Sequence, residues 1–452
     1  MSWRLNLTNI FVLAFVTECI FVMMYLSNFV ILNPPFVLTM PLKFLIIGCC
    51  IKYYLKESYH TRLCYLSATI VLLLMLVGMM RGIFAVEGYW GYKGWVNCVH
   101  SAFSYVLIFP LGSPLIARKI LQYWNKYIIP LFLLFGLWSM KADFYPFQIP
   151  FIYYFYILLF SIAVSNHKAR LIIIVGTVCT LMSIENRSAI IKTIVAISLC
   201  ATIYLYYDLR KVTHIVIQFF SYLIPIVLLI LGLTGTFNIF QDLADDEPTT
   251  IIRYNDEADE QNVGEQDLTA DTRTLLYIDV VLSAIEGDYV LFGNSIGRGN
   301  ISSKIWYDVE EMGNERLMNE AHMLNIFTWM GILGMILYTF MYLQASCLGL
   351  FCSRNKYVPI IACAVAFHWA MMWLEECPSF NPMDYALFLL IGMSFSPAFR
   401  NMTDAEFKLW FHSCFADPQK LTAFDALKIR KLQLLLTNIK RDEKTQNPSN
   451  LS

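Results

Sequence analysis

Apolar residues in this chain fall in runs of about 20, the length at which a helix crosses roughly 30 Å of hydrocarbon. Twelve such windows stand out, near 10–30, 36–54, 63–84, 98–117, 127–141, 149–165, 171–185, 188–206, 215–233, 323–349, 358–374 and 385–399. The pattern predicts an all-α integral membrane protein of about 12 transmembrane helices. The first run, Ile10 to Leu32, follows Arg4. It is longer than the apolar core of a cleavable signal and no small-residue cleavage site follows, so it reads as an anchored span. The basic residues of the short loops occupy alternate connections: Lys52, Lys56 and Arg62; Arg118, Lys119 and Lys126; Lys168 and Arg170; Arg210 and Lys211; Arg354 and Lys356. Such loops belong on the cytoplasmic side, and an even number of spans then puts both termini there.

One polar stretch interrupts the alternation. The windows divide the chain into helices one to nine (1–233), a large outer loop (234–321), helices ten to twelve (322–399) and a tail (400–452). The loop holds 19 of the 34 acidic residues and 5 of the 33 lysines and arginines. Loops of this length translocate regardless of their charge, so the acid excess agrees with the orientation. Residues Gln241 to Asp271 are polar and acidic, whereas Thr274 to Ile285 has apolar residues at helical spacing. The glycines of Leu291 to Asn300 permit tight turns. A small helical cap over the membrane domain is expected, rather than a separate enzyme domain. In the tail, Leu421 to Ile439 mixes leucines with Lys428, Arg430 and Lys431. It reads either as a basic amphipathic helix on an anionic leaflet or as a soluble stub.

Composition agrees with the spans. The chain is 58% hydrophobic and 15% charged, with a mean hydropathy of +0.55 and a net charge of -1, whereas a soluble protein carries about 25% charged residues. Of the twelve cysteines most lie inside the apolar windows, where they act as small apolar residues. Cys98 and Cys377 fall near the outer face, where a bridge is a minor alternative. No Cys/His cluster has zinc spacing.

Charges inside or beside spans carry the most information, because each costs about 2.5–3.5 kcal/mol at a helix centre. Arg81 lies near the outer end of the third window. Arg187 stands in the turn Glu185-Asn186-Arg187-Ser188, and Lys192 lies one helical turn deeper. Arg273 opens the helix of the cap, and Arg298 sits between Gly297 and Gly299, where backbone amides could approach an anion. His322 stands at the outer start of the tenth window, with Gly331-Ile332-Leu333-Gly334 downstream for close helix packing. Each has a structural alternative: snorkelling for Arg81, a solvated turn for Arg298, a headgroup contact for His322.

In this order the residues resemble the O-antigen polymerase and O-antigen ligase superfamily of bacterial membrane glycosyltransferases, of the GT-C type. The turn Asn186-Arg187-Ser188-Ala189 looks like the family's Arg-Ser/Thr-Ala turn. Arg273, an apolar helix and Leu291-Phe292-Gly293-Asn294-Ser295-Ile296-Gly297 resemble its arginine, helix and Gly-x-Gly run. Ala321-His322 with Gly331 and Gly334 resembles its His-Asn and Gly-x-x-Gly signature. The resemblance covers roughly residues 60–400. Two departures stand out. Met323 follows the histidine where Asn, Ser or Gln is usual, and aligning the glycines puts Glu320 in the histidine's place.

The resemblance implies a donor glycan on undecaprenyl pyrophosphate, at the outer face of the inner membrane, whose anomeric carbon is attacked by an acceptor hydroxyl. Arg187, Arg273, Arg81, Lys192 and Arg298 would bind the pyrophosphate without a metal, and His322 or Glu320 would position or deprotonate the acceptor. It implies polymerisation of the repeat units of a surface polysaccharide, with ligation of the glycan to lipid A core or to a protein as the alternative. Membrane lipids and a chain-length regulator protein are the partners it implies; no cofactor, metal or nucleic acid is expected. A transporter or flippase is the rival from another class, although the chain has no repeated halves of the kind many transporters show. A metal-dependent glycosyltransferase would want acids in the first outer loop, Leu32 to Phe36, which has none.

Overall fold

Apolar pattern becomes helix almost throughout the computed structural model, which describes residues 7–26, 36–139, 145–182, 187–233, 250–252, 265–267, 272–301 and 315–416. Among the described residues eight helices are long and apolar enough to cross a membrane: Leu7–Met24, Leu38–Leu55, Leu66–Ala85, Gly88–Leu111, Pro114–Leu137, Arg187–Tyr204, Tyr207–Leu231 and His322–Phe351. The other four expected windows fold as shorter pieces: Phe155–Val164, Val358–Met371 and Pro382–Phe395, and the 16-residue helix His167–Met182. A helix of 14 residues covers about 21 Å, less than the hydrocarbon thickness. In two of these windows residues 149–154 and 372–374 leave the α-helix as turns. Non-helical backbone is tolerated in a membrane protein where other parts of the protein bury it.

Helix faces divide as lipid exposure requires. His167–Met182 presents Leu171, Ile174, Val178 and Leu181 outward, and Arg187–Ala201 presents Ile191, Ile194 and Ile197. Exposed apolar stripes of this extent are not left on a soluble monomer. Val358–Met371 and Pro382–Phe395 are instead buried nearly all round, against His322–Phe351 and Tyr207–Leu233. With lipid as apolar as leucine, tight packing rather than water exclusion holds such helices together. Aromatic contacts supply it here: Tyr105 lies edge-on to Tyr338, Tyr342 and Phe388 with ring centroids 5.1–6.3 Å apart. All twelve cysteines are free, Cys98 and Cys377 included.

Two glycines couple the loop to the long helix. Gly331 has φ 65° and ψ -163°, a break inside His322–Phe351. The backbone of Leu291 and Phe292 fills the space beside it, so a β-carbon there would strike main chain. The broken turn's amides reach back to the loop: Ile332 N–H donates to Val290 O at 2.9 Å and Leu333 N–H to Leu291 O at 3.3 Å. Gly293, also at positive φ (70°), lies against the backbone of Trp329 and Met330. The sequence reading gave Gly331 a neighbouring helix as its partner; the partner is the Gly-rich loop. Spacing alone does not distinguish these, since both need a missing side chain.

The described part of the large loop contains the expected helix, Thr272–Glu286. Its Leu276, Val280 and Ala284 pack with Tyr289 on Ala321, Leu324 and Phe327. It also contains two antiparallel ladders, Thr250–Ile252 with Glu265–Asp267 and Asn300–Ile301 with Glu315–Arg316. Strands of two or three residues carry too little alternation to be read from a sequence. Most of Gln241 to Asp271 lies outside the described residues. After the last apolar helix, Thr403 and Glu406 form a capping box that starts Asp404–Cys414. Trp410 Nε1–H donates to Pro114 O at 2.9 Å and seats this helix on the bundle. Leu421 to Ile439 lies outside the described residues.

Candidate functional site

Lys192 is the expected site residue with the strongest physical constraint on it. Helix Arg187–Ala201 turns it inward, to 2% exposure. A buried ammonium requires a counter-charge, and Glu375 supplies it, with Lys192 Nζ 2.7 Å from Glu375 Oε1. The ammonium also stands over the Tyr153 ring, 4.5 Å from its centroid. Tyr153 O–H donates to Glu375 Oε2 at 3.1 Å, and its oxygen lies 2.8 Å from His368 Nδ1. A hydroxyl has one proton. If it goes to the carboxylate, His368 Nδ1 must carry the hydrogen of the second bond.

Glu375 belongs to the non-helical segment between Met371 and Pro382, which the surrounding helices pin. His322 N–H donates to Glu375 O at 2.6 Å and Met323 N–H to Met372 O at 3.1 Å. Tyr277 O–H donates to Trp373 O, and Ser104 O–H reaches Pro378 O at 3.2 Å. The far end is held by Asp384, whose Oδ2 accepts from Ser379 N–H and Asn381 Nδ2–H, both at 2.7 Å. The segment therefore presents Glu375 from a fixed backbone, at the end of the bundle where His322–Phe351 and Arg187–Ala201 both begin.

His322 joins the same interior from the opposite side. It is fully buried, with Nε2 3.3 Å from Tyr105 Oη, which lies 2.8 Å from Tyr342 Oη. The Tyr342 and His368 rings are 5.8 Å apart. No hydrogen bond joins those two rings, so the polar chain is interrupted there. Among the described residues Nδ1 of His322 and Nε2 of His368 have no hydrogen-bond partner.

The remaining expected residues scatter. Glu320 faces outward at 52% exposure and pairs with Arg316 at 3.3 Å, so it stays apart from the His322 cluster. Arg187 is exposed at the start of its helix, and no partner meets its guanidinium among the described residues. Arg81 donates to Phe292 O and Gly293 O, both at 3.0 Å, and so clamps the Gly-rich loop. Arg298 is held by the carboxylate of Glu315, through Nε at 2.9 and 2.8 Å and through Nη2, and donates to Ala85 O at 3.2 Å. The Glu315 carboxylate holds Arg298 more firmly in its charged form. The backbone amides near Arg298 are also engaged: Gly299 N–H donates to Glu315 Oε2 and Ile296 N–H to Gly78 O. They do not form the open anion cradle that the glycine spacing allowed. Arg273 lies in helix Thr272–Glu286, but its side chain falls outside the described residues.

Sequence reasoning overlooked Glu375, His368, Tyr153, Tyr105 and Tyr342. For the first two a signal existed: ionisable residues within or beside an apolar window are costly and ask for a partner. The tyrosines are three among 26, and nothing in the spacing singles them out. A second ionisable cluster, also overlooked, joins three other helices: Lys43 Nζ lies 3.6 Å from Glu18 Oε1 and 3.4 Å from His100 Nε2. Among the described residues no three His, Cys, Asp or Glu side chains group as metal ligands. No family model, no curated protein and no solved structure matches this chain.

Proposed function

We propose that this chain is a glycosyltransferase of the bacterial inner membrane that joins oligosaccharide repeat units carried on undecaprenyl pyrophosphate. In this reading it has twelve spans, both termini in the cytoplasm, and its large loop on the outer face. The observation that carries the proposal is Lys192, buried yet charge-paired with Glu375, on the same helix as the exposed Arg187. A transfer that expels a pyrophosphate needs positive charge where the leaving group develops, in a site that excludes bulk water. Arg187 and Arg273 bind the pyrophosphate bidentately, with Lys192 in support. Arg81 and Arg298 act through the loop that they hold. The resemblance offers His322 or Glu320 as a group that positions or activates the acceptor.

A transporter remains the second reading, because buried ion pairs such as Lys192–Glu375 and Lys43–Glu18 also mark ion pathways. The interruption between Tyr342 and His368 weighs against a continuous proton path. A deletion strain separates the readings through the length of its surface glycan on gels and its lipid-linked pool by mass spectrometry. The expected outcome is that single repeats still reach the surface acceptor while long chains vanish. Long chains stranded on undecaprenyl pyrophosphate would identify a ligase instead. Unchanged pools on both sides would remove the glycosyltransferase reading.

A further inference from the structure

We propose that Glu375 is the catalytic base of the transfer, the group that takes the proton from the attacking sugar hydroxyl; this rests on the glycosyltransferase reading. Access distinguishes Glu375 from His322. The Glu375 side chain keeps 15% exposure, whereas His322 keeps none. Orientation distinguishes it from Glu320, which is 52% exposed and bound to Arg316. The two oxygens differ: Oε1 is buried and charge-paired with Lys192 at 2.7 Å, and Oε2 accepts a hydrogen bond from Tyr153 at 3.1 Å. Its backbone is fixed by the His322 amide at 2.6 Å. A base held on a pinned segment by neighbouring groups meets the geometric demand of proton transfer better than a mobile surface carboxylate.

The pairing with Lys192 gives the step a second use. Before reaction the Glu375 carboxylate is paired with the Lys192 ammonium at 2.7 Å and accepts the proton from there. As the acceptor O–H bond breaks, its proton moves to the Glu375 carboxylate and its oxygen bonds to the anomeric carbon. The bond from that carbon to the pyrophosphate oxygen breaks, and the electron pair leaves with undecaprenyl pyrophosphate. Glu375 is then neutral, so the charge of Lys192 is no longer balanced at the moment negative charge appears on the leaving group. The pair thus binds the transition state better than the ground state, which is the condition for acceleration. Loss of the proton to water resets the site.

The test uses the purified full chain in lipid nanodiscs, with undecaprenyl-pyrophosphate-linked single repeats as donor and acceptor. Glu375→Gln should lower turnover per folded protein by about 10²–10⁴-fold without weakening donor binding. Glu375→Asp, which keeps a carboxylate one methylene further back, should fall between the two. Should Glu375→Gln not fold, the turnover of folded Glu375→Asp decides: a marked fall without weaker donor binding supports the assignment, and the wild-type rate overturns it. Glu375→Gln at the wild-type rate overturns the assignment but leaves the glycosyltransferase reading standing. Wild-type protein that binds the donor and joins no repeats overturns both.

Discussion

Arg187→Ala is expected to abolish long surface glycan, a fall of about 10²–10³-fold in transfer, while the protein stays in the membrane at its normal level. The two halves of this expectation have separate causes. Arg187 is exposed and meets no partner among the described residues, so its removal should change stability by no more than about 0.5 kcal/mol. A guanidinium that meets no partner among the described residues can take a ligand, and its planar fork suits two pyrophosphate oxygens at once. Arg187→Lys keeps the charge without the fork and should give an intermediate loss. The checks are a glycan gel and an immunoblot of the membrane fraction. Disappearance of the protein along with the glycan would assign Arg187 to folding instead.

The second large effect lies in the Lys192–Glu375 pair. Lys192→Met leaves Glu375 without its counter-charge in a nearly closed site, and breaking a buried pair from one side costs about 3–5 kcal/mol. Removing both charges, as Lys192→Met with Glu375→Gln, should recover most of that stability, because no ion is then left alone. It should not recover transfer. Unfolding of the detergent-solubilised variants, analysed as a double-mutant cycle, measures the coupling. Additive losses in the single and double variants would mean that the two side chains do not depend on each other.

Much of the fold was legible because it rests on run length and periodicity. Windows that continue as unbroken apolar helix, such as Leu66–Ala85, carry their own signal. Legibility failed where tertiary contacts interrupt a window. Residues 372–374, the end of an expected window, leave the helix where Met372 O accepts from Met323 N–H and Trp373 O from Tyr277 O–H; neither partner is local in sequence. The break at Gly331 likewise depends on a loop some 40 residues earlier, at Leu291 and Phe292.

The candidate site divides the same way. Lys192 could be found from sequence, since a lysine within an apolar helix is expensive and demands an explanation. Its partner could not be paired with it, because Glu375 reaches it from a distant segment. Arg81 and Arg298 show the opposite limit. Their charge and glycine-rich surroundings suit an anion, yet the guanidinium groups are engaged by Phe292, Gly293, Ala85 and Glu315. Residue type and spacing do not reveal whether a donor is already satisfied within the fold.

The most direct test of the central claim is transfer in a closed system. The purified full chain, in liposomes loaded with undecaprenyl-pyrophosphate-linked single repeats, is followed by mass spectrometry of the lipid fraction. The glycosyltransferase account predicts lipid-linked dimers and longer products, with one undecaprenyl pyrophosphate released for each bond formed. Repeats that stay single, whether left in place or moved across the bilayer, would contradict it.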